Sequence, residues 1–373
     1  MIGKQGKKRL ANFDVLRCLA MFMIILIHFF GHGMKHASIS GDFCFQLNTP
    51  VGGINYIVSQ IIYVLSLTAV DPFVFITGYF SISKQQLRLG KLAKLWVEVV
   101  FYSVTISAIF YFSLHSISRT DLLKSLLPIR SSQYWFFTSY FGLMLLSPFL
   151  SKIAGQISHK SYVVGLLALS FITLDFYKFP YAHQYGNDYG TSLLFFVLLY
   201  YVGGYFRLYG NMLPTGWIHI SNVNHKNALM LAIVTALVCV LGMIKGIDFT
   251  SMRAITVGFP YHSFTLLVAI AFFQFFANLH FNNNKFVKLS YRIAPYTFAV
   301  YLIHDHPLLR DFLWHHLIRL DAILNQPYYL LELIGIPTII FITCVIIDAV
   351  REHIFKLLHF HHLFKNNKLE IDI

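Results

Sequence analysis

Charged side chains are scarce in this 373-residue sequence, and acidic ones are the scarcest. Asp, Glu, Lys and Arg make up 12% of the chain, with 16 acidic against 29 basic residues, whereas soluble domains average about 25% charged residues. Hydrophobic residues supply 57%, and the mean hydropathy is +0.62. This composition excludes an ordinary soluble domain and predicts an integral membrane protein.

Cysteine is also scarce, which argues against a disulfide-stabilised scaffold. Of the four cysteines, Cys18, Cys239 and Cys344 lie in apolar stretches and Cys44 lies between two such stretches. There is no CxxC pair and no structural zinc spacing. The 18 histidines show no arrangement suited to a metal, and the HFHH run at 359–362 is typical of an interfacial tail near anionic lipid. We therefore predict no metal site.

Long apolar runs recur along the whole sequence, at the length of about 17–25 residues that crosses a bilayer. The ten runs are 13–32, 56–81, 95–114, 135–151, 161–177, 191–208, 228–245, 259–280, 293–309 and 329–350. The predicted fold class is all-α, a polytopic membrane bundle of about ten transmembrane helices. We divide the chain into a membrane domain, 1–350, and a basic, His-rich cytoplasmic tail, 351–373.

Basic residues are distributed unequally between the two sides that these spans define. With the N-terminus in the cytoplasm, 19 Lys and Arg residues fall on cytoplasmic segments and nine on outer loops. Because positive residues concentrate on the cytoplasmic side, we predict that both termini are cytoplasmic and that loop 33–54 is extracytoplasmic. The net charge of +13 then reflects topology and attraction to membrane lipid. No nucleic-acid partner is expected, because the charge is spread over short loops.

The first predicted span contains two ionisable residues at membrane depth, Arg17 and His28. Their spacing of eleven residues is about three helical turns, so they share one face and lie roughly 16 Å apart along the axis. Intramembrane ionisable residues mark functional sites by default. In the alternative interpretation, Arg17 pairs with Asp14 and extends toward the headgroups. That alternative leaves His28 unexplained.

Two other spans carry residues that could converge on His28. Asp71 and Pro72 lie near the middle of the second span, and Tyr301 and His304 lie in the ninth. An acidic residue at membrane depth needs a partner, so Asp71 is expected to pair with Arg17 or His28, or else to be protonated and held by hydroxyls. Pro72 is expected to kink its helix. His304 either lines the same cavity as His28 or is an interfacial histidine with satisfied hydrogen bonds.

Four basic residues crowd the short connection after the second span: Lys84, Arg88, Lys91 and Lys94. Such a cluster is usually an orientation signal, but it could also bind an anionic cofactor. Two matches to a lipid-acyltransferase pattern, His183 to Asp188 and His306 to Asp311, are interpreted as chance, since both fall on the predicted outer side.

The opening run, FDVLRCLAMFMIILIHFF, resembles the start of the membrane acyltransferase-3 family, which is marked by an Arg and a His separated by ten residues in the first span. Further similar segments follow in the family's order: AVDPFVFITGYF (69–80), YWFFTSYFGLMLLSPFL (134–150), YYVGGYFR (200–207) and YTFAVYLIH (296–304). One departure is that the family's cytoplasmic Arg-x-x-Arg occurs here only as Arg88-x-x-Lys91 or Lys91-x-x-Lys94. Lysine keeps the charge but loses the planar fork that binds phosphate bidentately.

The resemblance implies a plasma-membrane O-acetyltransferase that moves an acyl group, usually acetyl from acetyl-CoA, to a hydroxyl of a surface glycan or its lipid-linked precursor. His28 would be the general base or an acyl carrier, with Asp71 near it, and Arg17 would hold the donor or stabilise developing charge. The basic cluster at 84–94 would bind CoA. Acceptor-binding candidates are Trp135, Tyr301 and His304.

Two other classes of protein remain open at this stage. Ten spans, a broken helix and intramembrane charge are also features of a transporter or flippase, although no inverted repeat is visible. A non-catalytic membrane receptor or assembly factor is the third interpretation. The sequence does not decide the acceptor, the acyl chain or the membrane face on which transfer occurs.

Overall fold

The computed structural model describes residues 10–34, 45–131, 133–174, 190–210, 232–233, 236–237, 261–279, 281, 285–360 and 368–370. Predictions that lie wholly or mainly outside these residues are the seventh span, Cys44, Cys239 and the His183–Asp188 match. The described residues support the predicted all-α class, since their regular structure is helical apart from one small strand pair.

The described α-helices are α1 (Ala11–His28), α2 (Pro50–Ser66), α3 (Val70–Ser81), α4 (Leu89–Ser113), α5 (Arg119–Lys124), α6 (Trp135–Gln156), α7 (His159–Thr173), α8 (Leu193–Tyr209), α9 (Tyr261–Ala277), α10 (Lys285–Ile293), α11 (Thr297–His304), α12 (Pro307–Phe312), α13 (Leu320–Ile323) and α14 (Tyr329–Leu357). Short π-helical segments, Phe29–Met34 and Leu313–Leu317, extend α1 and α12, and a 3₁₀ turn, Ala294–Tyr296, joins α10 to α11. Strands β1 (Gln86–Arg88) and β2 (Lys368–Glu370) pair antiparallel, with Leu87 opposite Leu369.

Five segments of the described chain are long and apolar enough to cross a membrane. They are Ala11–Met34, Pro50–Ser81, Leu89–Ser113, Trp135–Gln156 and Tyr329–Leu357, and shorter apolar helices cover Leu193–Tyr209 and Thr265–Ala277. These correspond to seven of the ten predicted runs. The full count of ten spans and the orientation of the termini remain predictions.

The second span is interrupted one turn before Pro72, where a proline leaves the carbonyl four residues earlier without its helical hydrogen bond. The chain leaves α2 after Ser66, turns through Leu67–Ala69 and enters α3 at Val70. Pro72 is the third residue of α3. The N–H groups of the first turn have no hydrogen-bond partner within a helix, so the N–H that proline lacks is not missed by α3. The turn is closed by Thr68, whose hydroxyl donates to the Leu65 carbonyl at 2.8 Å.

Helix α1 lies at the centre of the bundle and packs against six other helices: α2, α3, α9, α10, α11 and α14. Its apolar residues from Phe13 to Leu26 are largely buried, and Asp14 is 1% exposed. A helix surrounded in this way can hold an ionisable side chain such as Asp14 against protein rather than lipid, which is where such groups occur in membrane proteins.

Helices α3 and α8 approach so closely that their backbones touch at glycines. A Cβ on Gly78 would lie 2.0 Å from the Tyr200 carbonyl oxygen, and one on Gly203 would lie 2.1 Å from that of Phe75. Small residues permit such approach between membrane helices. Two of the family-like segments, 69–80 and 200–207, therefore form one contact that holds α3 in place.

Helix α14 runs without interruption to Leu357, so the predicted boundary between 350 and 351 falls inside it. Just past that boundary, the Arg351 side chain is buried, with its Nε 2.5 Å from Asp348 Oδ1 and an Nη 3.8 Å from Glu98 Oε1. Asp348 also accepts a hydrogen bond from the Tyr102 hydroxyl at 2.7 Å. This network ties the end of α14 to α4.

Candidate active site

A cavity of about 360 Å³ lies beside α1 and is lined by residues of that helix from Arg17 to His28. Arg17, Lys91 and Lys94 line it, as do His28, Trp135 and Tyr301. Because Arg17 and His28 are three turns apart, the cavity extends roughly 16 Å along the helix. It therefore connects a basic region to a histidine that is held deep in the bundle.

Arg17 contributes to the cavity while it is paired within its own helix. Its Nη1 donates to Asp14 Oδ1 at 2.9 Å, and the guanidinium side chain remains 33% exposed. The predicted alternative contact, an ion pair between Arg17 and Asp14, is thus present in the structure. A guanidinium has five N–H donors, so this single contact is compatible with binding a ligand.

His28 is oriented by a second histidine from α11. The two rings meet with His28 Nδ1 2.8 Å from His304 Nε2, and His304 Nδ1 lies 2.5 Å from the Val300 carbonyl oxygen. A carbonyl only accepts, so His304 Nδ1 carries a hydrogen. In a neutral pair, His304 Nε2 then accepts from His28 Nδ1–H, which leaves His28 Nε2 with a free lone pair.

Asp305 and His32 complete the surroundings of His28, and sequence reasoning gave neither a role. Asp305 Oδ1 lies 3.7 Å from His28 Nε2 and 3.9 Å from His32 Nε2. The Arg310 Nη1 approaches the same oxygen at 3.3 Å. The available signals were local: His32 follows His28 by one turn, and Asp305 follows His304 directly.

Tyr301 offers a buried hydroxyl next to the cavity whose hydrogen has no acceptor among the described residues. The side chain is 4% exposed, and the Phe136 backbone N–H faces its Oη, which leaves the hydroxyl hydrogen free to donate. Its ring packs against Tyr134 and Phe136 near the start of α6, with centroids 5.7 Å away in each case. Buried polar groups are normally satisfied, so this orphaned donor is suited to a ligand.

The basic cluster after the second span divides into two pairs. Lys91 and Lys94, in the first turns of α4, line the cavity. Lys84 instead donates to the Phe80 carbonyl at the end of α3, and Arg88 ends strand β1, opposite Lys368. With Arg17, the structure therefore brings three of the five predicted cofactor-binding residues to the cavity.

A protein-family model described as an acyltransferase domain matches residues 10–350 of the chain. The chain belongs to the membrane acyltransferase-3 family. Neither a curated protein nor a solved structure matches it. The match includes α1, with its Arg17 and His28, and nearly all of the described bundle. The residues that line the cavity therefore belong to the acyltransferase domain.

The predicted pairing of Asp71 with Arg17 or His28 is wrong for this acyltransferase. Asp71 is buried in the first turn of α3, whereas the carboxylate beside Arg17 is Asp14 and the one beside His28 is Asp305. Arg17 pairs with Asp14, three residues earlier in the same helix, and His28 is close to Asp305, which directly follows His304. Asp71 is also absent from the lining of the cavity.

Glu98 is a further lining residue that sequence reasoning missed. It lies one turn beyond Lys94 on α4, is buried, and faces both the cavity and Arg351. The i,i+4 spacing from Lys94 was the signal in the sequence, since residues four apart share a helix face. His306, from the second chance match, is hydrogen-bonded to Gln133 at 2.6 Å and is not part of the lining.

Proposed function

We propose that this membrane acyltransferase is a plasma-membrane O-acetyltransferase that uses acetyl-CoA. The acceptor is a hydroxyl of a cell-surface polysaccharide or of its lipid-linked precursor. One observation carries the proposal: a single cavity connects the basic residues Arg17, Lys91 and Lys94 to His28. Its volume of about 360 Å³ is in the range of small-molecule sites.

The basic end of the cavity suits the phosphates of coenzyme A. Arg17 offers a planar set of N–H donors, and Lys91 and Lys94 offer point charges. The charge distribution predicts that this end faces the cytoplasm, where acetyl-CoA is made. The mostly apolar lining between the two ends, which includes Met21 and Ile24, suits the pantetheine arm and would bring the thioester toward His28.

The environment of His28 suits general-base catalysis. Its free Nε2 takes the proton of the acceptor hydroxyl while the hydroxyl oxygen attacks the acetyl carbonyl carbon. The imidazolium that forms is stabilised by Asp305, 3.7 Å from Nε2. The tetrahedral intermediate collapses, the C–S bond breaks, and the CoA thiolate receives the proton from His28.

Tyr301 suits the charge that develops on the acetyl carbonyl oxygen. Its hydroxyl is buried and has no acceptor for its hydrogen among the described residues, and Tyr301 lines the cavity one turn before His304. A donor held without a competing partner stabilises an oxyanion at no cost in reorganisation. We assign Tyr301 to this role, and Trp135 to packing against the acceptor.

The proposal is tested by following labelled acetyl groups and surface glycans together. Purified protein in lipid nanodiscs is given acetyl-CoA labelled in the acetyl group, with propionyl- and palmitoyl-CoA as competitors. Surface carbohydrate from cells with and without the protein is analysed by mass spectrometry. We expect acetyl esters on glycan that depend on the protein. Unchanged acetylation with defective glycan export would overturn the proposal in favour of a flippase.

A further inference from the structure

Three potential metal ligands converge at the end of the first span. One ligand atom from each of His28, His32 and Asp305 lies within 4.8 Å of the other two. Asp305 Oδ1 is 3.7 Å from His28 Nε2 and 3.9 Å from His32 Nε2. His28 and His32 are one turn apart, and their ring centroids are 5.2 Å apart. Asp305 comes from the other end of the chain, so no spacing in the sequence could reveal the set. The proposed reaction gives His32 no role.

The hydrogen bonds around His28 leave its metal-binding atom free. Because its Nδ1–H donates to His304 Nε2, the lone pair on Nε2 faces the Asp305 carboxylate at 3.7 Å with no hydrogen between them. Two acceptors that face each other at this distance favour a cation between them. A histidine that donates its other N–H to a second residue is also the usual arrangement of metal ligands.

We propose that His28, His32 and Asp305 bind a divalent cation of the zinc class, and that the bound metal inhibits acyl transfer. Two imidazole nitrogens and one carboxylate oxygen suit Zn²⁺, whereas Ca²⁺ and Mg²⁺ prefer oxygen ligands alone. Metal–ligand bonds of about 2.0–2.2 Å require the three atoms to move closer by about an ångström. Inhibition follows because the metal occupies the same Nε2 lone pair that accepts the acceptor's proton.

Arg310 limits the affinity of the site. Its Nη1 lies 3.3 Å from Asp305 Oδ1, so it competes with a cation for the carboxylate and adds positive charge beside it. Removing this charge while keeping a polar side chain, as in Arg310→Gln, should therefore tighten metal binding. This expectation separates a site built around Asp305 from nonspecific binding to surface histidines, whose affinity Arg310 would not affect.

Binding is tested with Zn²⁺ alone, on full-length protein carrying an affinity tag that contains no histidine. Isothermal titration compares the wild type with His32→Ala, with the more conservative His32→Gln, and with His316→Ala, an exposed histidine of the nearby π-helical segment. We expect one equivalent of binding to be lost in both His32 variants and retained in His316→Ala. Arg310→Gln should bind at least about tenfold more tightly. Equal binding by the wild type and both His32 variants would overturn the site.

The inhibitory consequence rests on the proposed function and is measured separately. Zn²⁺ should inhibit acetyl transfer by the wild type and by His316→Ala, and a chelator should restore it. His32→Ala should retain full basal transfer and resist Zn²⁺. Equal inhibition of His32→Ala and the wild type would overturn the inhibitory site. If no variant transferred acetyl, the proposed function would fail, while the titration would still decide whether the metal site exists.

Discussion

Arg17 and His28 are held in different ways, and the difference suits the roles proposed for them. Arg17 keeps a third of its side chain exposed and, among the residues that the structure describes, forms its ion pair with Asp14, so it can still bind a ligand. His28 is fixed by His304, which is itself fixed by a backbone carbonyl. A side chain with a fixed tautomer suits proton transfer, and one with spare donors suits binding.

Replacement of Arg17 by lysine should weaken donor binding although the charge is kept. Loss of a charge-assisted hydrogen bond costs about 1.5–3 kcal/mol, so the KM for acetyl-CoA should rise about tenfold or more. The matched control is Arg292→Lys, an exposed arginine of α10 outside the cavity lining. Steady-state kinetics on both variants decides the matter. Unchanged donor kinetics in Arg17→Lys would restrict Arg17 to its pairing with Asp14.

Replacement of Tyr301 by phenylalanine should slow catalysis without weakening substrate binding. The variant removes only the hydroxyl, whose hydrogen has no acceptor among the described residues, and keeps the ring contacts with Tyr134 and Phe136. Loss of one oxyanion donor lowers kcat by about 10²-fold or more, with KM unchanged. Tyr134→Phe is the control, because the Tyr134 hydroxyl bonds the Leu302 carbonyl at 2.9 Å. A normal kcat in Tyr301→Phe would exclude the oxyanion role.

Helical periodicity accounts for which site residues the sequence could reveal. The eleven-residue spacing of Arg17 and His28 placed both on one face of α1, and both line one cavity. Asp305 was missed, and Asp71 was chosen instead, because their contacts depend on how α3 and α11 pack against α1. Tertiary packing of that kind leaves no local pattern in a single sequence.

At the scale of helices, the contact between α3 and α8 determines where one wall of the cavity stands. Thr77 and Phe73 of α3 line the cavity, and Thr77 is hydrogen-bonded to Tyr140 of α6 at 3.0 Å. The glycines opposite this wall let α8 support α3 directly. These glycines lie in two of the segments that resemble the family, 69–80 and 200–207, but the sequence could not show that the two segments are in contact.

Replacement of Gly203 by alanine should destabilise the protein through this contact. The added Cβ would lie 2.1 Å from the Phe75 carbonyl oxygen, and backbone cannot move aside as a flexible side chain does. Overpacking of this kind typically costs about 1–3 kcal/mol. The control is Gly335→Ala in α14, where no atom lies within 4 Å of the new Cβ. Thermal unfolding in detergent should show a lower Tm for Gly203→Ala alone; equal Tm values would contradict the packing argument.

At the scale of the whole molecule, composition and run length were sufficient for the fold class but not for its details. Five segments of the described chain have the length and composition of membrane spans, and each coincides with a predicted apolar run, whereas the count of ten remains a prediction. The second span is two helices separated by the turn at Leu67–Ala69. This turn consists of ordinary apolar residues and a threonine, so the sequence indicated a break only through Pro72, which follows it in the first turn of α3.

The predicted orientation can be tested with a variant that keeps Cys44 as its only cysteine. The basic residues divide 19 to nine between the two predicted sides, which predicts that loop 33–54 is extracytoplasmic. A membrane-impermeant maleimide should therefore label Cys44 in intact cells, whereas a control that also lacks Cys44 should remain unlabelled. Labelling only after the cytoplasmic face is opened would reverse the orientation and place the basic end of the cavity outside.

The account depends most directly on His28 as the base that serves the cavity, and one paired measurement tests it. Acetyl transfer and CoA binding are measured on the same folded preparations of His28→Ala and of His316→Ala, an exposed control. A general base contributes about 10²–10⁴-fold, so His28→Ala should lose transfer by at least about 10²-fold while CoA binding changes by less than about twofold. The control should match the wild type in both. Full transfer by a stably folded His28→Ala protein would contradict the account.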